Sequence, residues 1–76
     1  MPNRDQFIKE FMAKWPAPYV PRNKFAEFSG GLRQPGTLAN ADCLGRGPAG
    51  RIKIGKSTAY PVREAAGWLF DQIQTS

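Results

Sequence analysis

The sequence predicts a small α+β domain in which helices flank a single β-hairpin. Three observations carry that expectation. Apolar residues recur at helical spacing near both ends of the chain, in Phe7, Ile8, Phe11, Met12 and Trp15, and again from Val62 to Ile73. Between them, Arg51-Ile52-Lys53-Ile54 alternates strictly between charged and β-branched residues, which is the period of a half-buried strand. Glycine pairs and prolines punctuate the remainder into short segments.

A chain of 76 residues supports one domain, 1–76, close to the size at which a hydrophobic core only just suffices. With 41% hydrophobic and 12% aromatic residues, the chain has enough apolar surface to fold rather than remain disordered. Cys43 is the only cysteine and histidine is absent, so neither a disulfide framework nor the usual zinc spacings can be assembled. The same absence removes the Ser-His and Cys-His nucleophile pairs and the commonest general base. The six carboxylates each lie beside basic residues or at an expected helix end, with none paired for acid–base work. The expectation is therefore a non-enzyme without cofactor or metal. No apolar leader follows Met1 and no run reaches membrane-spanning length, which fits a cytoplasmic, nucleoid-associated protein without a membrane partner.

Taken in order, Asn3 is a suitable N-cap for an amphipathic N-terminal helix within residues 1–15, covering Arg4 to Trp15, with Asp5 favourably placed in its first turn. Pro16 and Pro18 stop it, and residues 16–21 read as a stiff, extended Pro-rich linker. A short helix fits Arg22 to Ser29, with Phe25 and Phe28 on one side, ended by Gly30-Gly31. Leu32 is expected to anchor the following turn by pointing inward. Pro35 suits the first position of a third helix reaching Asp42, with Leu38, Ala39 and Ala41 inward and Gly36, Thr37 and Asn40 outward. Cys43 reads as a small buried hydrophobe beside Leu44. Residues 45–50 form a glycine-rich loop. A hairpin over residues 51–60 then turns at Gly55-Lys56, with Ile52 and Ile54 expected to face the core and Arg51 and Lys53 the solvent. Pro61 opens the last helix, 62–74, whose stripe of Val62, Ala65, Ala66, Leu69, Phe70 and Ile73 is widened by Trp68.

One string invites a different reading. Gly50-Arg51-Ile52-Lys53-Ile54-Gly55-Lys56-Ser57 matches the G-x-x-x-x-G-K-S spacing of a nucleotide-binding loop. Such a loop needs a buried strand before it and a helix starting at the lysine. Here the four middle residues are the most strand-like in the chain, and Pro61 prevents a continuous helix after Ser57. A chain of this length cannot build the parallel sheet either, so a nucleotide is not an expected ligand.

The formal charge is +5, and its placement is informative. From Arg33 to Arg63 six basic residues stand against Asp42 alone, while the remaining charges cancel. The whole excess thus falls on the segment holding the turn, the third helix and the hairpin, and favours an anionic partner. The order helix, helix-turn-helix over 22–42, basic hairpin and helix describes a winged helix-turn-helix. In such an arrangement Gln34, Thr37 and Asn40 present amide and hydroxyl groups that can read base edges, with Gly36 among them and Arg33 at the helix start. Arg51, Lys53 and Lys56 make a thin cationic blade for a groove or its phosphates, joined by Arg46.

From about Val20 to Gln72 the chain resembles the excisionase/MerR-like family of small winged helix-turn-helix proteins, particularly phage- and mobile-element-associated members. The residues carrying the resemblance are Phe25, Phe28, Gly30-Gly31-Leu32, Pro35-Gly36-Thr37-Leu38-Ala39-Asn40, Gly45-Arg46-Gly47-Pro48, Ile54-Gly55-Lys56, Ala59-Tyr60-Pro61-Val62 and Trp68-Leu69. The resemblance implies a partner of double-stranded DNA, with residues 34–40 in the major groove and Arg51, Lys53 and Lys56 on the minor groove or backbone. It also implies a task in transcriptional regulation or in directing site-specific recombination. Gln34 stands where such proteins often carry a serine N-cap, and the first helix is additional to the family core. Binding as a monomer, a homodimer or a cooperative assembly on DNA is left open by the sequence. The alternative is a protein-interaction adaptor that docks a partner through the face of Phe7, Phe11 and Trp15. RNA binding has less support, since the aromatics fall on core faces rather than alternating with basic residues.

Overall fold

Helix α1, Arg4–Lys14, begins where the Asn3 side chain accepts a hydrogen bond from the Gln6 amide at 2.7 Å, which satisfies one of the orphan donors of the first turn. The computed structural model describes residues 3–74, with side chains as far as Gln72. Ile8 is buried against the last helix, α4 (Val62–Gln74), and Phe7, Phe11 and Trp15 are half-buried around it. Gly67 on α4 faces α1, beside Arg4 and Ile8. A side chain there would run into the Arg4 guanidinium. Of the stripe expected on α4, Val62, Ala65, Ala66, Leu69 and Phe70 are buried, while Ile73 lies outside the described side chains.

The proline-rich stretch is more than a connector. Residues Tyr19–Pro21 form an edge strand, β1, paired antiparallel with β3 (Ser57–Pro61) through Tyr19 to Pro61, Val20 to Tyr60 and Pro21 to Ala59. The expected linker is corrected accordingly. Its extended backbone already matches a strand, and proline is tolerated on a sheet edge because an N–H can be dispensed with there. Three residues are too few to display an alternating pattern, so nothing in the sequence marked the strand. Val20, wholly buried, ties this edge to the core, and the Trp15 indole donates to the Tyr19 carbonyl at 3.0 Å.

A turn of 3-10 helix, Arg22–Lys24, leads into the short α2, Phe25–Phe28, whose two phenylalanines are buried. The helix ends in a Schellman motif, in which Gly31 N–H donates to the Ala26 carbonyl and Gly30 N–H to that of Glu27. Gly30 and Gly31 have φ of 68° and 86°, the left-handed region that only glycine enters freely. Leu32 does not anchor this turn, being 65% exposed. Ser29 does so instead: it is buried, and its hydroxyl lies 2.9 Å from the Phe25 carbonyl and accepts from the Arg33 amide at 3.1 Å. A polar anchor wins because the buried turn has backbone groups to satisfy, which a leucine cannot do.

Helix α3, Pro35–Cys43, starts with proline and holds to the core through the wholly buried Leu38. Ala41 is half-buried and Ala39 exposed, so Leu38 carries nearly all of the inward face. Cys43 and Leu44, expected to be buried, are both exposed, Leu44 by 61%. Near that end Asp42, not Cys43 or Leu44, is the residue turned inward, its side chain only 6% exposed. The strands β2, Ile52–Ile54, and β3 then form the hairpin, and the sheet order is β1-β3-β2.

The hairpin carries the largest correction. Directly paired residues share a face, and faces alternate along each strand. Val20 pairs with Tyr60 and Lys53 with Thr58, so Val20, Tyr60, Thr58 and Lys53 stand on one face, the one directed to the core and to α3. Ile52 and Ile54 belong to the other face with Ala59 and Ser57, and Ile54 is 69% exposed. The period was legible, but the parity is set by Val20 and Tyr60 in the other strands. Lys53 shares their face yet is exposed, as is Arg51, and Ile52 is half-buried beside the buried Ala59.

The whole is an α+β arrangement of helices and a three-stranded antiparallel sheet. Its aromatic core runs from Phe7 and Phe11 through Phe28 and Phe25 to Tyr60 and Trp68, with ring centroids 4.7–6.0 Å apart. The Cα radius of gyration of 11.6 Å is close to the roughly 11 Å of a compact chain of this length. Among the described residues no helix is long and apolar enough to cross a membrane.

Candidate nucleic-acid interface

Two adjoining depressions lie between α3 and the β2–β3 hairpin, sharing Arg22 and Thr58, and together they form a groove with two ends. At the end formed by the last turns of α3 it is lined by Ala39, Asp42 and Cys43 on one side and by Arg51, Ile52, Lys53 and Thr58 on the other. At the other end Pro35 faces Lys56 and Ser57 at the hairpin turn, with Asn23 beside them. Arg22 lines both ends. Each element reaches the groove for a local reason. Pro35 pre-sets the first turn of α3, Gly55 supplies φ of 61° for the tight hairpin turn, and the Tyr60–Val20 pairing turns Lys53 and Thr58 toward α3.

Asp42 organises the floor. Its side chain is only 6% exposed, and Oδ2 accepts from Arg22 Nη2 at 2.6 Å and from the Tyr60 hydroxyl at 2.5 Å. Arg22 Nε in turn donates to the Tyr60 oxygen at 3.0 Å, closing a three-membered network. The other carboxylate oxygen, Oδ1, is buried without a hydrogen bond and faces Arg51 Nη1 at 3.5 Å. A buried carboxylate tolerates this setting because two guanidinium groups offset its desolvation. Gly47 is required beside it, since a side chain there would overlap Oδ1. Hydrogen bonds from Arg22 to Tyr60 and then Asp42, against partial burial, raise the guanidinium above its ordinary pKa, so Arg22 is a permanent cation. Burial first, and the bond to Asp42 second, push the Tyr60 hydroxyl above the usual value of 10.0.

Around this groove Arg22, Arg51, Lys53 and Lys56 stand against Asp42 as the carboxylate among the described lining residues. Lys53 and Lys56 are exposed and Arg51 is 54% exposed, so three cations can reach a ligand without disturbing the core. Gln34, Thr37 and Asn40 are exposed on α3, and Gly36 opens onto empty space. Arg33 and Arg46 are placed differently. Arg33 is half-buried and donates to the Leu32 carbonyl at 2.8 Å and to Gln72 Oε1 at 3.2 Å, which fastens the turn to α4. Arg46 has an exposed side chain while its carbonyl accepts from the Trp68 indole at 2.7 Å. Both stand outside the lining of the groove.

Arg22, Asn23 and Thr58 are the residues that sequence reasoning missed. Arg22 lay outside the basic segment from Arg33 to Arg63 and counted among charges that cancel. Only the pairing of β1 with β3 brings the start of the 3-10 turn up to the hairpin. The feature that could have flagged it is Asp42, the one acid of the basic segment, which would need a partner if buried. Compared with family models, curated proteins and solved structures, the chain matches none.

Proposed function

We propose that the chain binds double-stranded DNA as a small winged helix-turn-helix protein, serving transcriptional regulation or acting as an excisionase-like recombination accessory factor. In this reading α2, the Gly30-Gly31 turn and α3 are the helix-turn-helix, α3 enters the major groove, and the β2–β3 hairpin is the wing on the minor groove or backbone. The observation that carries it is the cationic groove between α3 and the hairpin, which brings Arg22, Arg51, Lys53 and Lys56 beside a helix with an exposed polar face. A phosphate backbone seated there would have base edges within reach of Gln34, Thr37 and Asn40. α3 has nine residues, roughly 13 Å of helix, a length comparable to the width of a major groove. The adaptor alternative loses ground because Phe7, Phe11 and Trp15 pack against the buried core.

Mobility shifts on random duplex and on host genomic fragments test the proposal. Binding at low salt is expected, with log K falling by about 0.9 per phosphate contact for each unit of log salt. Lys53→Ala and Lys56→Ala should weaken binding to all sequences and flatten that slope by roughly one each. Asn40→Ala should instead change the preference among sequences. No binding to either DNA at low salt would sink the reading.

A further inference from the structure

The tip of the hairpin carries a residue that none of the packing explains. Ile54, 69% exposed, is the most exposed large hydrophobic side chain among the described residues. It precedes the Gly55-Lys56 turn and pairs with Ser57, on the sheet face directed away from α3. No neighbouring element is positioned to cover it there. A side chain built on Gly55 would meet nothing within 4 Å, so the turn is open on that side, while Lys56 and Ser57 line the groove toward Pro35. A short edge strand usually protects itself with charge, and an isoleucine at its end does the opposite.

The surroundings of Ile54 point to a polyanion. Lys53 lies beside it on the opposite face and Lys56 follows in the turn, while residues 51–61 contain no acidic side chain. An apolar side chain bracketed by cations matches a surface on which phosphates flank apolar sugars and stacked bases, which is the wall and floor of a DNA minor groove. That groove is about 6 Å wide and admits a narrow tip, and Gly55 and Ser57 keep this one narrow. Apolar side chains inserted from such tips partly unstack a base step and bend the duplex. Resting on the DNA-binding reading above, we propose that Ile54 is an apolar wedge that enters the minor groove and bends the bound DNA.

The test uses the full chain and compares wild type with Ile54→Ala, Ile54→Leu and Lys56→Ala. Affinity for a selected duplex is measured as a function of salt, and bending by energy transfer between end labels. Ile54→Ala should lower affinity about five- to thirtyfold, leave the salt slope unchanged and reduce the bend, while Ile54→Leu keeps both near wild type. Lys56→Ala should reduce the slope instead. Because Ile54 is exposed, the thermal midpoint of Ile54→Ala should match wild type, which separates a lost contact from a lost fold. Wild-type affinity and bend in Ile54→Ala would overturn the wedge and leave DNA binding standing. Loss of only the steepness of the binding isotherm would overturn it in favour of a contact between copies. A wild-type chain that binds phosphatidylserine/phosphatidylcholine vesicles through Ile54 but no duplex would overturn both readings.

Discussion

Asp42 shows how much one side chain can decide. It joins the 3-10 turn through Arg22, the central strand through Tyr60 and the base of the hairpin through Arg51. Breaking a buried ion pair leaves a partner charge without compensation, and costs more than the pair contributes over an apolar substitute. Tyr60 adds a pH dependence. Its folded-state pKa is raised, so the folded protein holds the phenolic proton more tightly than the unfolded chain. That contribution is fully present below pH 10 and is lost as pH rises through the folded value. Tyr60→Phe should therefore be less stable than wild type at pH 7, by about 1–3 kcal/mol for hydrogen bonds to charged groups. The gap should narrow at pH 11. Denaturant melts of the two proteins at both pH values check this, and an unchanged gap would show that Tyr60 does not titrate as its burial requires.

Among the elements, α1 and the hairpin were legible to different degrees. The amphipathic period of α1 and its Asn3 cap were plain in the residues, and the helix forms as expected, ending at Lys14. Whether its aromatic face covered the core or met another chain depended on where α4 lay. The core takes it, through Ile8 and the ring contacts of Phe7 with Phe70 and of Phe11 with Phe28. Ile8→Ala should accordingly cost about 2–4 kcal/mol, read as a lower denaturation midpoint with little change in slope. A cost below 0.5 kcal/mol would mean that α1 does not dock as described. In the hairpin the alternation is equally plain, yet a one-residue change of parity moves every side chain to the other face. The choice was made by Val20 and Tyr60, residues in other strands, and no local pattern could supply it. The strand β1 was illegible for a related reason. Its three residues have no period, and their prolines read as a spacer until a partner strand is present.

At the scale of the whole molecule, the basic excess in residues 33–63 becomes a surface only after folding selects from it. Lys53, Lys56 and Arg51 reach the groove, Arg33 is drawn to α4, and Arg22 joins from outside the segment. If binding is focused there, equal charge changes elsewhere should matter little. Lys9→Glu with Lys14→Glu, on α1, should lower DNA affinity at least tenfold less than Lys53→Glu with Lys56→Glu at about 0.15 M salt, where screening acts over about 8 Å. Filter binding of the two double variants decides the matter. Equal losses would mean that the net charge, and not the groove, drives binding.

The residues alone determined the α+β class, the caps, the glycine turns, the bounds of α4 and the concentration of charge, because each rests on neighbours a few positions apart. Tertiary structure decided which face of the hairpin looks inward, that residues 19–21 pair as a strand, that Ser29 and not Leu32 anchors the turn, and that Arg22 stands in the groove. Each of these depends on a contact with a residue distant in sequence, and burial is a property of the assembled neighbours rather than of the side chain itself. Ile54 belongs to both accounts. Its place beside the turn was legible in the sequence, and its exposure, on which the wedge rests, came only with the parity of the sheet.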